Sequence, residues 1–463
     1  MCTSIAVGRL ATVDGSWLVS RNEDCVRAGW NKAMIRRPLP EWLAFPNAVA
    51  NGVWTLGNGM QVKVPGAHYP YTGMPDASAN QEATSAVGNR FFFEERGVNS
   101  CNFAISATNS MTTNAAAMAA DPFVAAGLAE SILPTLLLPQ ARSAQHALEL
   151  IAGYMAATGA SEPNGLLLAD PQESWYVEIG SGHHWIAVRV PEREYLAVAN
   201  AMRVHGVDLD DQANVRHSDG LLSFVRDHRL LPNADPRSFD FAAAFGELGQ
   251  PYNVDRIWLA QHLLTPSLVQ PVRQPQYPLF LRPDHAVGPE DVMTVLRATY
   301  AGTPLQGKAD RPIGWGKTAE SHVIALDPNQ PAPLRALIWQ CVSTPLGAPY
   351  LPFPAALDVI PATYARGSDT YGTDSAYWAY RGLYTLAETA GAATRDAVSA
   401  MWREHERRLV CEQRHLRHLM GGDGGAAGDG SILQHWGRGA IYAGLELAQA
   451  TRNQVMTSLT ASD

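Results

Sequence analysis

A cysteine at position 2 and an Arg-Asn-Glu-Asp run at 21–24 are the residues of this 463-residue chain best suited to chemistry. If an aminopeptidase removes Met1, Cys2 carries a thiol and a free α-amine on one residue, and its small side chain permits that removal. An α-amine ordinarily titrates at about 7.7–8.0, so it can take the thiol proton near neutral pH without strong tuning. The thiolate can then attack a carbonyl, and the protonated amine can return its proton to the leaving nitrogen. A guanidinium such as Arg21 close by favours the thiolate. Asp24 can accept from the α-ammonium, orient it, or hold a substrate amine. The same letters also describe a thiol packed on a first strand, with Arg21 and Asp24 as a surface pair.

These groups meet only if the elements around them bring them together. CTSIAVGRL and SWLVSRN read as strands around an Asp-Gly turn. A turn centred near Val13 and Asp14 places Cys2 beside the Asp24–Cys25 end of the second strand. Residues 31–90, rich in Pro, Gly, Asn and aromatics, read as an excursion over the core. NFAISATNS (102–110) is a further strand, followed by small-residue helices around 123–138 and 143–158. GLLLAD, SWYVEI, HHWIAVRV and EYLAVAN, with short spacers, predict an antiparallel meander ending at Asn200. The tail predicts long helices joined by GGDGGAAGDG (421–430), a flexible linker. Strands and helices without regular βαβ alternation predict an α+β fold of two antiparallel sheets covered by helices. Its division would be a domain over 2–360 and a helical region over 361–463, packed on that domain or continuous with it.

Composition narrows the partners. Thirty-five basic against 44 acidic residues leave a net charge of −9, which opposes binding to nucleic acid or anionic membrane. Five widely spaced cysteines suggest a reducing compartment. No basic-then-apolar leader is visible, and the most apolar stretch is broken by Asp121, Pro122, Glu130 and Pro134. The expectation is a cytoplasmic protein, with homo-oligomerisation left open. Cys411, His415 and His418 share a helix face that could hold zinc, yet their stretch is highly charged and reads better as a solvated face. His183 and His184 point to opposite sides if they lie on a strand. His322 has no visible partner, and Cys25, Cys101 and Cys341 read as buried thiols. Neither a metal nor an organic cofactor is implied.

The pattern C-T-S-I-x-V-G … DGS … RNEDC resembles the amino-terminal signature of the C69 dipeptidases. These are N-terminal-nucleophile (Ntn) hydrolases related to penicillin V acylases and bile salt hydrolases. GVN (97–99), AISAT (104–108), the block over 164–204, YNVDRIW (252–258) and the stretch 289–304 extend the likeness. The resemblance implies an Ntn-hydrolase αββα sandwich that cleaves dipeptides through an acyl-enzyme on Cys2. Arg21 and Asp24 match the element flanking the nucleophile, Asn200 an oxyanion asparagine and Arg256 a later arginine near the thiol. Asn109 or a backbone N–H is the second oxyanion donor, and Asn22 and Asn109 are candidates for substrate binding. Three alternatives stay open. An N-acyl amide hydrolase would line its pocket with Trp54, Tyr69, Tyr71, Phe91, Phe92 and Phe93. A non-catalytic, secernin-like binding protein would keep Met1, and a zinc protein would use 411–418.

Overall fold

The opening hairpin lies at the centre of the molecule. In the computed structural model, strands Cys2–Val7 and Trp17–Asp24 pair antiparallel, and all of their residues are buried. The structure describes residues 2–25, 30–76, 91–421 and 430–461, without the side chains of 107–109 and 421. Cys2 stands opposite Glu23, rather than opposite Asp24 or Cys25. The expected tight turn is instead a longer connection over 8–16, in which Gly15 takes the left-handed conformation at φ 78°. The connection is centred between Thr12 and Val13, one residue earlier than expected, and that shifts the register.

Two antiparallel sheets face each other. The first orders its strands as Phe280–Leu281, Tyr195–Val198, Cys2–Val7, Trp17–Asp24, Thr318–Leu326, Ala336–Val342 and Leu351–Pro354. The second runs Val215–His217, Trp185–Arg189, Ser174–Ile179, Asn164–Ala169, Ala104–Ser110, Glu94–Asn99, Tyr71–Pro75 and Ile35–Arg37. Strands of the opening hairpin pack across the interior onto Ala104–Ser110. Helices Leu133–Leu137 and Ala144–Thr158 cover the second sheet, the latter capped by Ser143, whose side chain accepts from His146 N. Helices Pro251–Leu264 and Pro289–Leu296 cover the first sheet, so the layers run α-β-β-α.

The predicted meander is three strands long, not four. Asn164–Ala169, Ser174–Ile179 and Trp185–Arg189 are neighbours, but Tyr195–Val198 crosses to the other sheet and pairs with Cys2–Val7, Ser4 opposite Val198. The crossing turn is clasped by Gly8 N and Leu10 N, which donate to Glu194 O and Glu192 O. A Cβ on Gly8 would lie 2.1 Å from Pro191 O, so glycine permits the approach. Because of this crossing, Asn200 arrives beside the chain start.

The tail helices Ala376–Ala390, Ala392–Gly421 and Ser431–Thr460 contribute Tyr380, Leu383, Trp402 and Ile441 to the core that holds Ile338 and Phe353 of the first sheet. Most of the predicted linker, 422–429, lies outside the described residues.

Candidate active site

Side chains alternate along a strand, and directly opposed residues share a face. Cys2, Glu23 and, two places back, Arg21 therefore turn to the interior between the sheets. Arg21 Nη2 lies 3.1 Å from Cys2 Sγ. Both Nη groups of Arg21 donate to Glu95 Oε2 at 3.0 Å, with Glu130 at 3.5 Å and Glu23 at 3.8 Å. Arg21 is fully buried, which alone would lower its pKa. Cys2, Glu95, Glu23 and Glu130 outweigh that and hold the guanidinium firmly charged.

The backbone of Cys2 is fixed as closely as its thiol. Its nitrogen donates to Asn200 Oδ1 at 2.9 Å, and its carbonyl accepts from Arg256 Nη1 at 2.6 Å. Arg256 Nη1 also reaches Thr3 Oγ1 at 2.9 Å, while Nη2 donates to Asn200 Oδ1 and Asn253 Oδ1, each at 3.0 Å. Burial, then the nearby charge of Arg311, lowers the Arg256 pKa to about 10, leaving it a cation at neutral pH. Asn200 meets Cys2 through its oxygen, and its NH₂ donates to Ser110 O at 3.0 Å. The oxyanion role expected of that NH₂ calls for a change of partner.

Asp24 accepts from Arg311 Nη2 and Thr318 Oγ1 and also lines the cavity beside Cys2. The structure does not bring Asn22 there. Alternation turns it to the helix-covered face, where Nδ2 donates to Leu296 O at 2.8 Å and Ile313 O at 2.9 Å, and Oδ1 accepts from Ser321 Oγ. Asn109 sits opposite Gly165 in its strand, and its side chain lies outside the described atoms. Met1, whose removal the chemistry requires, lies outside the described residues as well.

A cavity of about 410 Å³ opens over the thiol. Among the described residues fourteen line it, six acidic and one, Arg21, basic, so this part of its wall favours cations. Glu23, Glu95 and Glu130 in this wall were missed by the sequence reading. For Glu23 the signal was available, since it follows Arg21 by two places on a strand. Beneath it, buried Lys32 donates to Glu23 Oε1 at 2.9 Å and Asp76 Oδ1 at 2.8 Å. Among the aromatics of 31–93, Phe93 lines the cavity, while Trp54 and Tyr71 belong to the core behind the second sheet. Cys25 also lines it and is half-buried, so it is not the sealed thiol expected.

Elsewhere the pattern is structural. His183 and His184 lie in the turn before a strand, with separate partners in Asp121 and Ser218. Among the described residues no three His, Cys, Asp or Glu side chains gather as metal ligands would; Cys411 is exposed, and His418 faces a different cavity with Arg414 and Arg417. His322 is not alone, being held between Ser106 Oγ at 2.7 Å and Glu320 Oε1 at 3.0 Å.

An α-β-β-α sandwich with a thiol at the head of a central strand, set among arginine, asparagine and carboxylates, defines the cysteine class of Ntn hydrolases. The chain belongs to peptidase family C69, whose model matches residues 1–404. A probable dipeptidase of Latilactobacillus sakei is 30% identical over 408 residues, covering 86% of this chain and 83% of its own. A probable dipeptidase of Salmonella dublin is 32% identical, covering 76% and 80%. A dipeptidase of Bifidobacterium longum is 26% identical, covering 86% and 79%. Among solved structures, a conjugated bile acid hydrolase from Clostridium perfringens aligns with a TM-score of 0.35 at 12% identity, covering 74% of this chain and 89% of its own. That is too distant to bear on this chain.

Proposed function

We propose that this protein hydrolyses dipeptides through an acyl-enzyme on Cys2, exposed as the first residue once Met1 is removed. The carrying observation is the double hold on Cys2: Arg21 on the sulfur, Asn200 and Arg256 on the backbone. The names of the C69 relatives supply the substrate class. Asn200 orients the α-amine, which takes the thiol proton, and Arg21 is counter-ion to the thiolate. Attack on the carbonyl forms a tetrahedral oxyanion. The α-ammonium then gives its proton to the leaving amine, and water deacylates the thioester. Asp24, held by Arg311, supports the chain start, and Asn200 or Asn109 serves the oxyanion. A cytoplasmic site of action accords with five free thiols, and no described helix is long and apolar enough to cross a membrane. A small peptide is the partner this reading requires, and a homo-oligomer remains compatible with it.

The test is intact mass together with turnover. The mature protein should be lighter by one methionine, and Cys2→Ala should lose at least about 10³-fold in kcat on a dipeptide. Retained Met1 in an active enzyme, or undiminished turnover by Cys2→Ala, would overturn the reading.

A further inference from the structure

The acidic wall of the cavity has a specific opening for a cation. Glu23 stands directly across the strand pair from Cys2 and is 5% exposed. Its Oε1 is held by Lys32, whereas its Oε2 is buried with no hydrogen-bond donor among the described residues, 3.8 Å from Arg21 Nη1. A buried carboxylate oxygen without a donor is costly, and a ligand N–H would relieve it. Across Arg21 lies Glu130, with Oε1 at 3.5 Å from the guanidinium and Oε2 accepting from Ser110 Oγ at 3.1 Å. Glu130 keeps 23% of its side chain exposed to the opening. Its own N–H is anchored on Glu162, a further acid of the same wall.

The substrate's chemistry supplies the matching group. With the scissile carbonyl carbon about 3–3.5 Å from the sulfur, the substrate's α-nitrogen, two bonds away, reaches the carboxylates that flank Arg21. Asp24, the other candidate, is already bound by Arg311 and Thr318. We propose that Glu23 and Glu130 form the subsite that reads the substrate's free α-ammonium group, making an unblocked amino end a condition of cleavage. This inference rests on Cys2 being the nucleophile. It assigns amine recognition to two residues on either side of Arg21. An N-acylated substrate brings neither the charge nor the donors, and it leaves Glu23 Oε2 unsatisfied.

The test compares alanyl-alanine with N-acetyl-alanyl-alanine in wild type, Glu23→Gln, Glu23→Asp and Glu130→Gln. Alongside, binding of alaninamide and N-acetylalaninamide is measured by calorimetry, which needs no turnover. Each Gln variant should lose about ten- to a hundredfold in kcat/KM on the free dipeptide, chiefly through KM. Wild type should cleave the acetylated peptide far less well than the free one, and Glu23→Asp should recover part of the loss of the Gln variant. Wild type should bind alaninamide and not its acetyl form, with binding weakened in both Gln variants. Equal cleavage of both peptides by wild type, or Gln variants that leave KM and alaninamide binding unchanged, would overturn the subsite. If alaninamide binds as expected while Cys2 is never acylated, the subsite stands and the catalytic reading falls. If dipeptides turn over through Cys2 with both Gln variants at full KM, the subsite alone falls.

Discussion

At the scale of single residues, the site turns on how charges are paired around Arg21. Its planar fork gives both Nη groups to Glu95 while one of them also faces the sulfur. Lysine keeps the charge but cannot reproduce that geometry. Arg21→Lys should lower kcat on the order of 10²-fold with KM little changed, a split that steady-state kinetics reads directly. Glu23 sets a pH signature of its own. Burial raises its carboxyl to about 8, against the pull of Lys32. Because the folded value lies above the ordinary 4.5, its contribution to stability is present below 4.5 and fades as pH rises through about 8. Amine recognition pairs an ionised Glu23 with a substrate amine that is still protonated, so kcat/KM should follow a bell around pH 8 whose acid limb Glu23→Gln flattens. An unchanged profile in that variant would separate the limb from Glu23. Strand alternation made this residue legible: it groups Glu23 with Arg21 and sets Asn22 on the opposite face, where Asn22 binds helix carbonyls. The resemblance drew attention to Asn22 because a motif records neighbours in sequence, whereas a strand face skips every second one.

At the scale of elements, one strand crossing builds the site. The spacers before Ser174, Trp185 and Tyr195 are similarly short, so nothing local distinguishes the turn that continues the second sheet from the one that leaves it. Long-range pairing with Cys2–Val7 decides, and Asn200 reaches Cys2 because of it. The two sheets are also tied by side chains. Ser106 of the second sheet binds His322 of the first, which binds Glu320, itself bound by Gln340 Nε2 at 2.8 Å. Glu320 is two places from His322, so that half of the strut was readable in sequence, whereas Ser106 lies 216 positions away. Burial lowers the His322 pKa and keeps the ring neutral. Burial alone would raise Glu320, but His322, Arg96 and Gln340 outweigh it and bring the carboxyl to about 2. Both groups titrate below their ordinary values of 6.5 and 4.5, so both stabilise the fold at neutral pH. His322 loses its contribution as pH falls from 6.5, and Glu320 as pH falls from 4.5 towards 2. Thermal midpoints should therefore drop on acidification below pH 6.5, and His322→Gln should make that decline shallower. Ser106→Ala, which strips the ring nitrogen of its donor, should cost about 1–3 kcal/mol at neutral pH.

At the scale of the whole molecule, the helical tail is part of the catalytic unit's core. Glu406, buried in helix Ala392–Gly421, accepts from both Nη groups of Arg297 and from Tyr350 N at 2.7 Å. Arg297 follows helix Pro289–Leu296, and the Leu296 carbonyl is one of those gripped by Asn22 in the strand that carries Arg21. Hydrophobic periodicity made these tail helices visible in the sequence. Their docking was not legible, because it depends on buried partners such as Arg297 and Glu406, 109 positions apart. Removing one member of a buried pair strands the other charge, at a cost of about 3–5 kcal/mol. Glu406→Ala should therefore lower the unfolding midpoint sharply and destabilise tail and sandwich together, in one transition. On the same helix, the pair Arg407–Glu404 is two-thirds exposed and screened by solvent. Glu404→Ala should change stability by no more than about 0–1 kcal/mol. Two separate transitions in Glu406→Ala, with the sandwich melting at its wild-type temperature, would make the tail an independent appendage. A single lowered transition would bind the tail to the sheet that holds Cys2, as the shared core of Trp402, Ile441 and Phe353 predicts.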